Sequence, residues 1–262
     1  MKYYSITLLS IVALAVSCGP AKQSSESSAE AGEAAEKSTY KVYKAPASPE
    51  YPDAKLAKTD MVVETLDSIN TVDFSFEVEN YELGVQTADA ATRGIANSGK
   101  GQHIHFIVNN GPYSAHYMPG VSNALDDGNY VVLAFLSRSY HESVKSAGAY
   151  HIQNLTVGEV EPVEADLTAP HLFYSRPKGT YSGADTEKLM LDFYLLNTSI
   201  APDGNKVKAT INGQETLITE WAPYYIEGLE KGKVTIKLEL IDKDGNPIPG
   251  PFNVVERTVT LK

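Results

Sequence analysis

Beyond Pro49, apolar and polar residues alternate with a period of two over most of the chain. Val72, Phe74, Phe76 and Val78 form one such run and Tyr130, Val132, Ala134 and Leu136 a second; Leu189, Leu191, Phe193 and Leu195 form a third, and Val234, Ile236, Leu238 and Leu240 a fourth. A period of two places every apolar side chain of a run on one face of a strand. Turn-forming stretches separate the runs, among them Asn109-Asn110-Gly111-Pro112, Asp126-Asp127-Gly128 and Asp242-Lys243-Asp244-Gly245. Strands of about six residues, with turn signals roughly every 8 to 12 residues and no sustained helical period, predict an all-β protein built of antiparallel sandwiches.

The pattern also repeats. An offset of 104 lays HIHFIVNNGPYSAHYMPGVSNALDDG on VKATINGQETLITEWAPYYIEGLEKG without a gap, pairing Ile107 with Ile211, Pro119 with Pro223 and Gly128 with Gly232. Upstream, Val72 pairs with Leu189 at an offset of 117, so the first copy carries 13 more residues between Leu83 and His103. They fall in the polar loop GVQTADAATRGIANSGKGQ, and a loop grown on one copy of a duplicated scaffold is a place to look for function. The acidic, proline-bearing stretch GEVEPVEADLTAP divides the copies. The chain therefore predicts two tandem immunoglobulin-like antiparallel β-sandwiches, residues 48–160 and 161–262.

The first residues have a different character. Lys2 is followed by the apolar run ITLLSIVALAV and then Ser17 and Cys18, the pattern of an export signal over residues 1–17. Leu14-Ala15-Val16-Ser17-Cys18 resembles the lipobox of bacterial lipoproteins, which implies acylation of Cys18, a membrane attachment through that lipid, and a place in the cell envelope, at the outer membrane on its periplasmic or surface face. Cys18 is the only cysteine, so the folded part has neither a disulfide nor thiol chemistry. Residues 18–47, rich in Ser, Ala, Glu and Gly, have almost nothing apolar to bury and predict a flexible tether.

A net charge of -11, with Arg93, Arg138, Arg176 and Arg257 as the only arginines, excludes a nucleic-acid partner, because phosphate binding needs clustered cations. The candidate chemistry lies in the first copy. His103 and His105 are two apart on a strand and project to the same side, within reach of one metal ion; His116, His141 and His151 are further candidate ligands. Neutral imidazoles in an exported, cysteine-free domain suit zinc or copper. The gapless alignment pairs His103 and His105 with Val207 and Ala209, so it predicts that the imidazoles point toward a core, with Ile104, Phe106 and Val108 covered on the opposite face. Ser137-Arg138-Ser139-Tyr140-His141 is similar to the Ser-Arg-x-His core of forkhead-associated phosphopeptide readers with one residue too many, which makes Ser137 and Arg138 candidates for a phosphorylated ligand. Trp221, Tyr224 and Tyr225 read as packing residues.

The stretches GQHIHFIVNNGPY and HLFYSRPKGTY resemble bacterial, Bacteroidetes-type lipoproteins with two tandem immunoglobulin-like β-sandwiches. The resemblance implies the fold and the address. No nucleophile elbow, zinc-protease helix or distinct acid pair stands out. The expected function is a non-catalytic binding or scaffolding module for a protein or small ligand, with zinc or copper binding as one alternative and phosphopeptide-type binding as the other.

Overall fold

The computed structural model describes residues 40–66 and 69–262. The export signal, Cys18 and most of the tether lie outside the described residues. The strands are β1 (Lys41–Lys44), β2 (Lys55–Leu66), β3 (Ile69–Glu79), β4 (His103–Val108), β5 (Ser114–His116), β6 (Gly120–Leu125), β7 (Gly128–Ser137) and β8 (Tyr150–Val157). They continue with β9 (His171–Arg176), β10 (Thr180–Tyr181), β11 (Lys188–Leu196), β12 (Lys206–Ile211), β13 (Gln214–Ile218), β14 (Tyr224–Glu227), β15 (Gly232–Ile241) and β16 (Val254–Leu261).

Two sandwiches result, as the alternation predicts. In the first, the sheet β2-β3-β6 faces the sheet β5-β4-β7-β8; in the second, β1-β14-β11-β9 faces β10-β16-β15-β12-β13. Val72, Phe74 and Phe76 meet Ile104, Phe106, Val132, Ala134 and Leu136 in the first core. Leu189, Leu191, Phe193 and Leu195 meet Val207, Ala209, Ile211, Ile236, Leu238 and Leu240 in the second. Each of these side chains larger than alanine contributes roughly 1.5–3 kcal/mol on burial.

Two expectations need correction. Residues 41–44 belong to no flexible tether: β1 adds to the edge of β14 in the second sandwich, pairing Val42 with Ile226 and Tyr43 with Tyr225. The backbone N–H of Ala45 donates to the Pro223 carbonyl at 2.9 Å. Arg93 then holds the carbonyls of Pro46 and Ala47 at 2.8 and 2.7 Å. Backbone pairing and one buried guanidinium order a segment whose composition alone cannot.

The second correction concerns the duplicate of β4. Asn109 and Asn212 both take left-handed backbone (φ 47° and 46°). Each side-chain carbonyl accepts the N–H of the neighbouring strand, from Val131 and from Thr235. They are therefore equivalent, at an offset of 103, and the pairing of β4 with β7 agrees: Ile104, Phe106 and Val108 stand opposite Leu136, Ala134 and Val132, as Val207, Ala209 and Ile211 stand opposite Leu240, Leu238 and Ile236. Between that strand and the next one it pairs with, the second copy carries one residue more than the first, Val108 to Val132 against Ile211 to Ile236, which restores 104. Because side chains alternate, that single residue reverses the faces: Ile104 and Phe106 fill the sandwich core, and His103 and His105 point out of the other side.

That other side is covered. Ile107, Tyr113, Val131, Leu133 and Phe135 of the first sandwich pack on Phe173, Tyr194, Leu196 and Phe252 of the second. Phe135 and Tyr194 stack at 4.8 Å. The Asn110 side chain donates to the carbonyls of Leu172 and Phe252 and accepts the N–H of Tyr174. Buried Asp192 accepts the N–H and hydroxyl of Ser143 and the ammonium of Lys145. The described residues from Tyr40 to Lys262 accordingly belong to one compact unit.

Candidate metal centre

On β4 the even-numbered Ile104 and Phe106 enter the core of the first sandwich, which leaves His103 and His105 under the second. Both are fully buried. A third imidazole arrives from the β7–β8 connection. There Arg138 N–H donates to the Glu142 carbonyl and His141 N–H to the Arg138 carbonyl, both at 2.8 Å, closing a tight turn that places His141 in left-handed backbone at φ 70°. A non-glycine residue in that region carries strain, of the kind that persists where surroundings enforce it.

The loop peculiar to the first copy is what enforces it. Thr87 and Ser139 exchange two hydrogen bonds, Thr87 N–H to the Ser139 hydroxyl at 3.2 Å and Ser139 N–H to the Thr87 hydroxyl at 3.0 Å. Ser98 N–H donates to the Ser139 carbonyl. At the end of the same loop Gly101, at φ 89°, lies against the backbone of Gly84 and Val85 so closely that a Cβ would come within 2.5 Å of the Val85 carbonyl. Only glycine fits there, and its own carbonyl receives Nδ1 of His103 at 2.8 Å.

That contact sets the tautomer. A carbonyl can only accept, so Nδ1 of His103 carries the hydrogen and Nε2 presents a bare lone pair. Two other ring nitrogens face it: Nε2 of His105 at 2.9 Å and Nδ1 of His141 at 3.0 Å. One imidazole lone pair makes one good hydrogen bond, so these two short contacts compete for it. A cation among the three nitrogens removes the competition. All three ligand atoms lie within 4.8 Å of one another, and a tetrahedral ion with bonds of about 2.0–2.1 Å needs separations of about 3.3 Å. The rear nitrogens are supported as metal-bound histidines require, His103 by the Gly101 carbonyl and His105 Nδ1 by the Ser175 hydroxyl at 3.3 Å.

The electrostatics keep the lone pairs free. Burial lowers His103 to about 4, and Arg176 and Lys178 push the same way. Burial, then the neighbouring imidazoles and the same two cations, hold His105 well below the ordinary histidine range, and burial with Arg176 does so for His141. Tyr113 completes the site: its ring stacks on His105 at 3.5 Å, its hydroxyl lies 3.2 Å from Nδ1 of His141, and the Lys178 ammonium sits 3.9 Å above its other face.

Of the histidines singled out as ligands, the structure brings together His103, His105 and His141. His116 stands opposite Ile104 on β5, and His151 opposite Ala134 on β8. Directly opposed residues share a face, so both belong to the other side of the sheet. His116 bonds to Ser114 and His151 to Gln153. Ser137 and Arg138 do not form a ligand site. Ser137 is fully buried, and the Arg138 guanidinium pairs with Glu142 at 3.1 Å while donating to the carbonyls of Ser143 and Pro49. Trp221 is a packing residue, its indole N–H donating to the Phe193 carbonyl. Tyr113, Ser175 and Lys178 escape a reading of motifs one at a time. The signal that could have found them is that the two characteristic stretches, GQHIHFIVNNGPY and HLFYSRPKGTY, face each other across the junction.

No protein-family model and no curated protein matches the chain. Among solved structures the chain is similar to the fibronectin(III)-like modules of Clostridium thermocellum CbhA, at 12% identity over 79% of this chain and 94% of that one with a TM-score of 0.28. It is similar to the central fibronectin-III array of RIM-binding protein at 9% identity over 83% and 72%, with a TM-score of 0.25. For the two-domain fibronectin type-III segment of chicken tenascin the identity is 8% over 78% and 98%, with a TM-score of 0.21. The assignment of tandem sandwiches stands on the strand pairing itself.

Proposed function

We propose that this protein is a lipid-anchored cell-envelope protein whose two fused sandwiches form a non-catalytic binding module for one transition-metal ion, zinc or copper, held by His103, His105 and His141. The observation that carries the reading is the convergence of His105 Nε2 and His141 Nδ1 on the single bare lone pair of His103 Nε2. Three neutral imidazoles suit either ion and leave a coordination position open. Complete burial of two rings offers no surface for an organic substrate. The lipobox-like segment ending at Cys18 supports attachment to the outer membrane.

The test is metal content of the full chain purified in detergent, exposed to Zn(II) or to Cu(II), and desalted. One ion per chain is expected, with a rise in melting temperature on loading. His141→Gly, which substitutes the residue that its duplicate turn carries at Gly245, should weaken binding about a hundredfold while the fold persists. Protein that stays metal-free under both exposures overturns the reading and leaves the histidines as parts of a structural junction.

A further inference from the structure

Resting on that reading, the surroundings of the three imidazoles say what the ion's open position takes. We propose that the centre binds a small inorganic monoanion, such as a halide or azide, as the fourth ligand, with Lys178 as its counter-charge and the Tyr113 hydroxyl as its hydrogen-bond donor.

The first argument is charge. Among the described residues no aspartate or glutamate joins the cluster, so a divalent ion on three neutral imidazoles keeps both its positive charges. The second sandwich adds more. Lys178 is held over the Tyr113 ring at 3.9 Å, Tyr113 in turn stacks on His105, and Arg176, itself buried, acts on all three imidazoles. Positive charges this close, one buried and one half-buried, are costly unless an anion lies among them. Surfaces built to attract cations place carboxylates around the ligands. Here the neighbours have the opposite sign, which disfavours a bare cation and favours a cation–anion pair.

The second argument is the hydroxyl of Tyr113. It lies 3.2 Å from Nδ1 of His141, one of the three converging nitrogens. A metal on that nitrogen takes the lone pair the hydroxyl would otherwise use, and the buried O–H then needs another acceptor next to the metal. An anion at the open position is placed to be that acceptor. Lys178 also donates to the backbone carbonyl of Tyr113, which fixes its ammonium over the ring on the face away from His105, from where its charge acts on all three imidazoles. The tyrosine hydroxyl thus reaches the position directly and the lysine charge acts on it across the ring, while burial of His103 and His105 limits the ligand to one or a few atoms.

Co(II) is the probe, because its visible absorption reports its ligands. The full chain in detergent is loaded with Co(II) and titrated with chloride and then with azide. Saturable shifts of the visible bands are expected for both. Lys178→Met should weaken azide binding about tenfold and strengthen Co(II) binding by a similar factor, since one cation has been removed from near both charges. Opposite signs in one variant cannot come from damage to the fold. Tyr113→Phe should weaken azide alone by several-fold. Co(II) that binds but whose bands ignore both anions overturns the inference and leaves the metal reading standing. A phenolate-to-metal band in the Cu(II) protein that vanishes in Tyr113→Phe overturns it as well, by making tyrosine the fourth ligand. A chain that takes up no Co(II), Zn(II) or Cu(II) overturns both.

Discussion

Strands β4 and β12 occupy the same place in two copies of one sandwich and both turn apolar residues inward, yet their outward residues differ in kind. At the offset of 103 that the asparagine turns establish, His103, His105 and Ile107 stand where β12 has Lys206, Lys208 and Thr210. Lys208 lies on a solvated face, paired with Glu239 at 3.1 Å and Glu215 at 3.6 Å. Its counterpart His105 has Phe135 as cross-strand partner where Lys208 has Glu239, and a second sandwich above it. The difference teaches that one scaffold face serves as a water-facing charge lattice in one copy and as a dry junction in the other. Imidazole is the polar group that can be neutral enough to be buried there and basic enough to ligate.

Exchanging the two residues should break this comparison with unequal force. His105→Lys puts an ammonium beside Phe135 under the second sandwich, next to existing cations and without a carboxylate, and should destabilise the protein by at least about 3 kcal/mol in urea unfolding. Lys208→His removes a half-buried ion pair, but Glu239 keeps Lys237 at 2.9 Å, so the change should cost only about 1 kcal/mol. Equal costs would mean that the junction face is wetter than the burial of His105 indicates.

The same burial makes the metal-free protein acid-sensitive. His103 titrates near 4 when folded, below the 6.5 of a free imidazole. Between these values the unfolded chain binds a proton that the folded one refuses, so this contribution is intact above about pH 6.5 and is lost as pH falls toward 4. The slope is about 1.4 kcal/mol per pH unit for each such histidine, and His105 and His141 act in the same direction. Unfolding of chelator-treated protein at several pH values down to about 5, above the range where most carboxylates titrate, measures it. His103→Gln should flatten the curve by about one proton. An unchanged slope would show that His103 is not held neutral in the fold.

The two sandwiches were legible because alternation is a local property, and so was the gathering of imidazoles at the His-x-His strand beside the longer loop. That both faces of β4 are covered could also be read from the run HIHFIV. Which face belonged to which partner could not, since the one-residue difference in length falls in the connections between β4 and β7, where alternation is silent, and a one-residue slip inverts every side chain. His116 and His151 are excluded only by cross-strand register, which pairs them with Ile104 and Ala134 and is set between segments distant in sequence. Strand β1 was invisible for a related reason. Four residues inside a polar stretch become a strand because β14 offers an unpaired edge, and nothing within KVYK says so.

The smallest expected effect tests the turn that delivers the third ligand. Arg138 to Glu142 and Asp242 to Asn246 close in the same way, with the first N–H donating to the last carbonyl at 2.8 Å in both. The fourth residue of each is left-handed, His141 at φ 70° and Gly245 at φ 89°. A side chain in that conformation costs about 1 kcal/mol that glycine avoids. At position 141 of the metal-free protein, glycine should therefore be more stable than alanine by about 1 kcal/mol, the reverse of the usual order, and Gly245→Ala should cost a similar amount. Strain in the second copy has no ligand to justify it, which is why glycine suffices there. In the first copy the strain is the cost of aiming Nδ1 of His141 at His103. Alanine and glycine of equal stability at 141 would show that the turn relaxes in solution, and the third imidazole would then have to be drawn in by the ion instead of waiting for it.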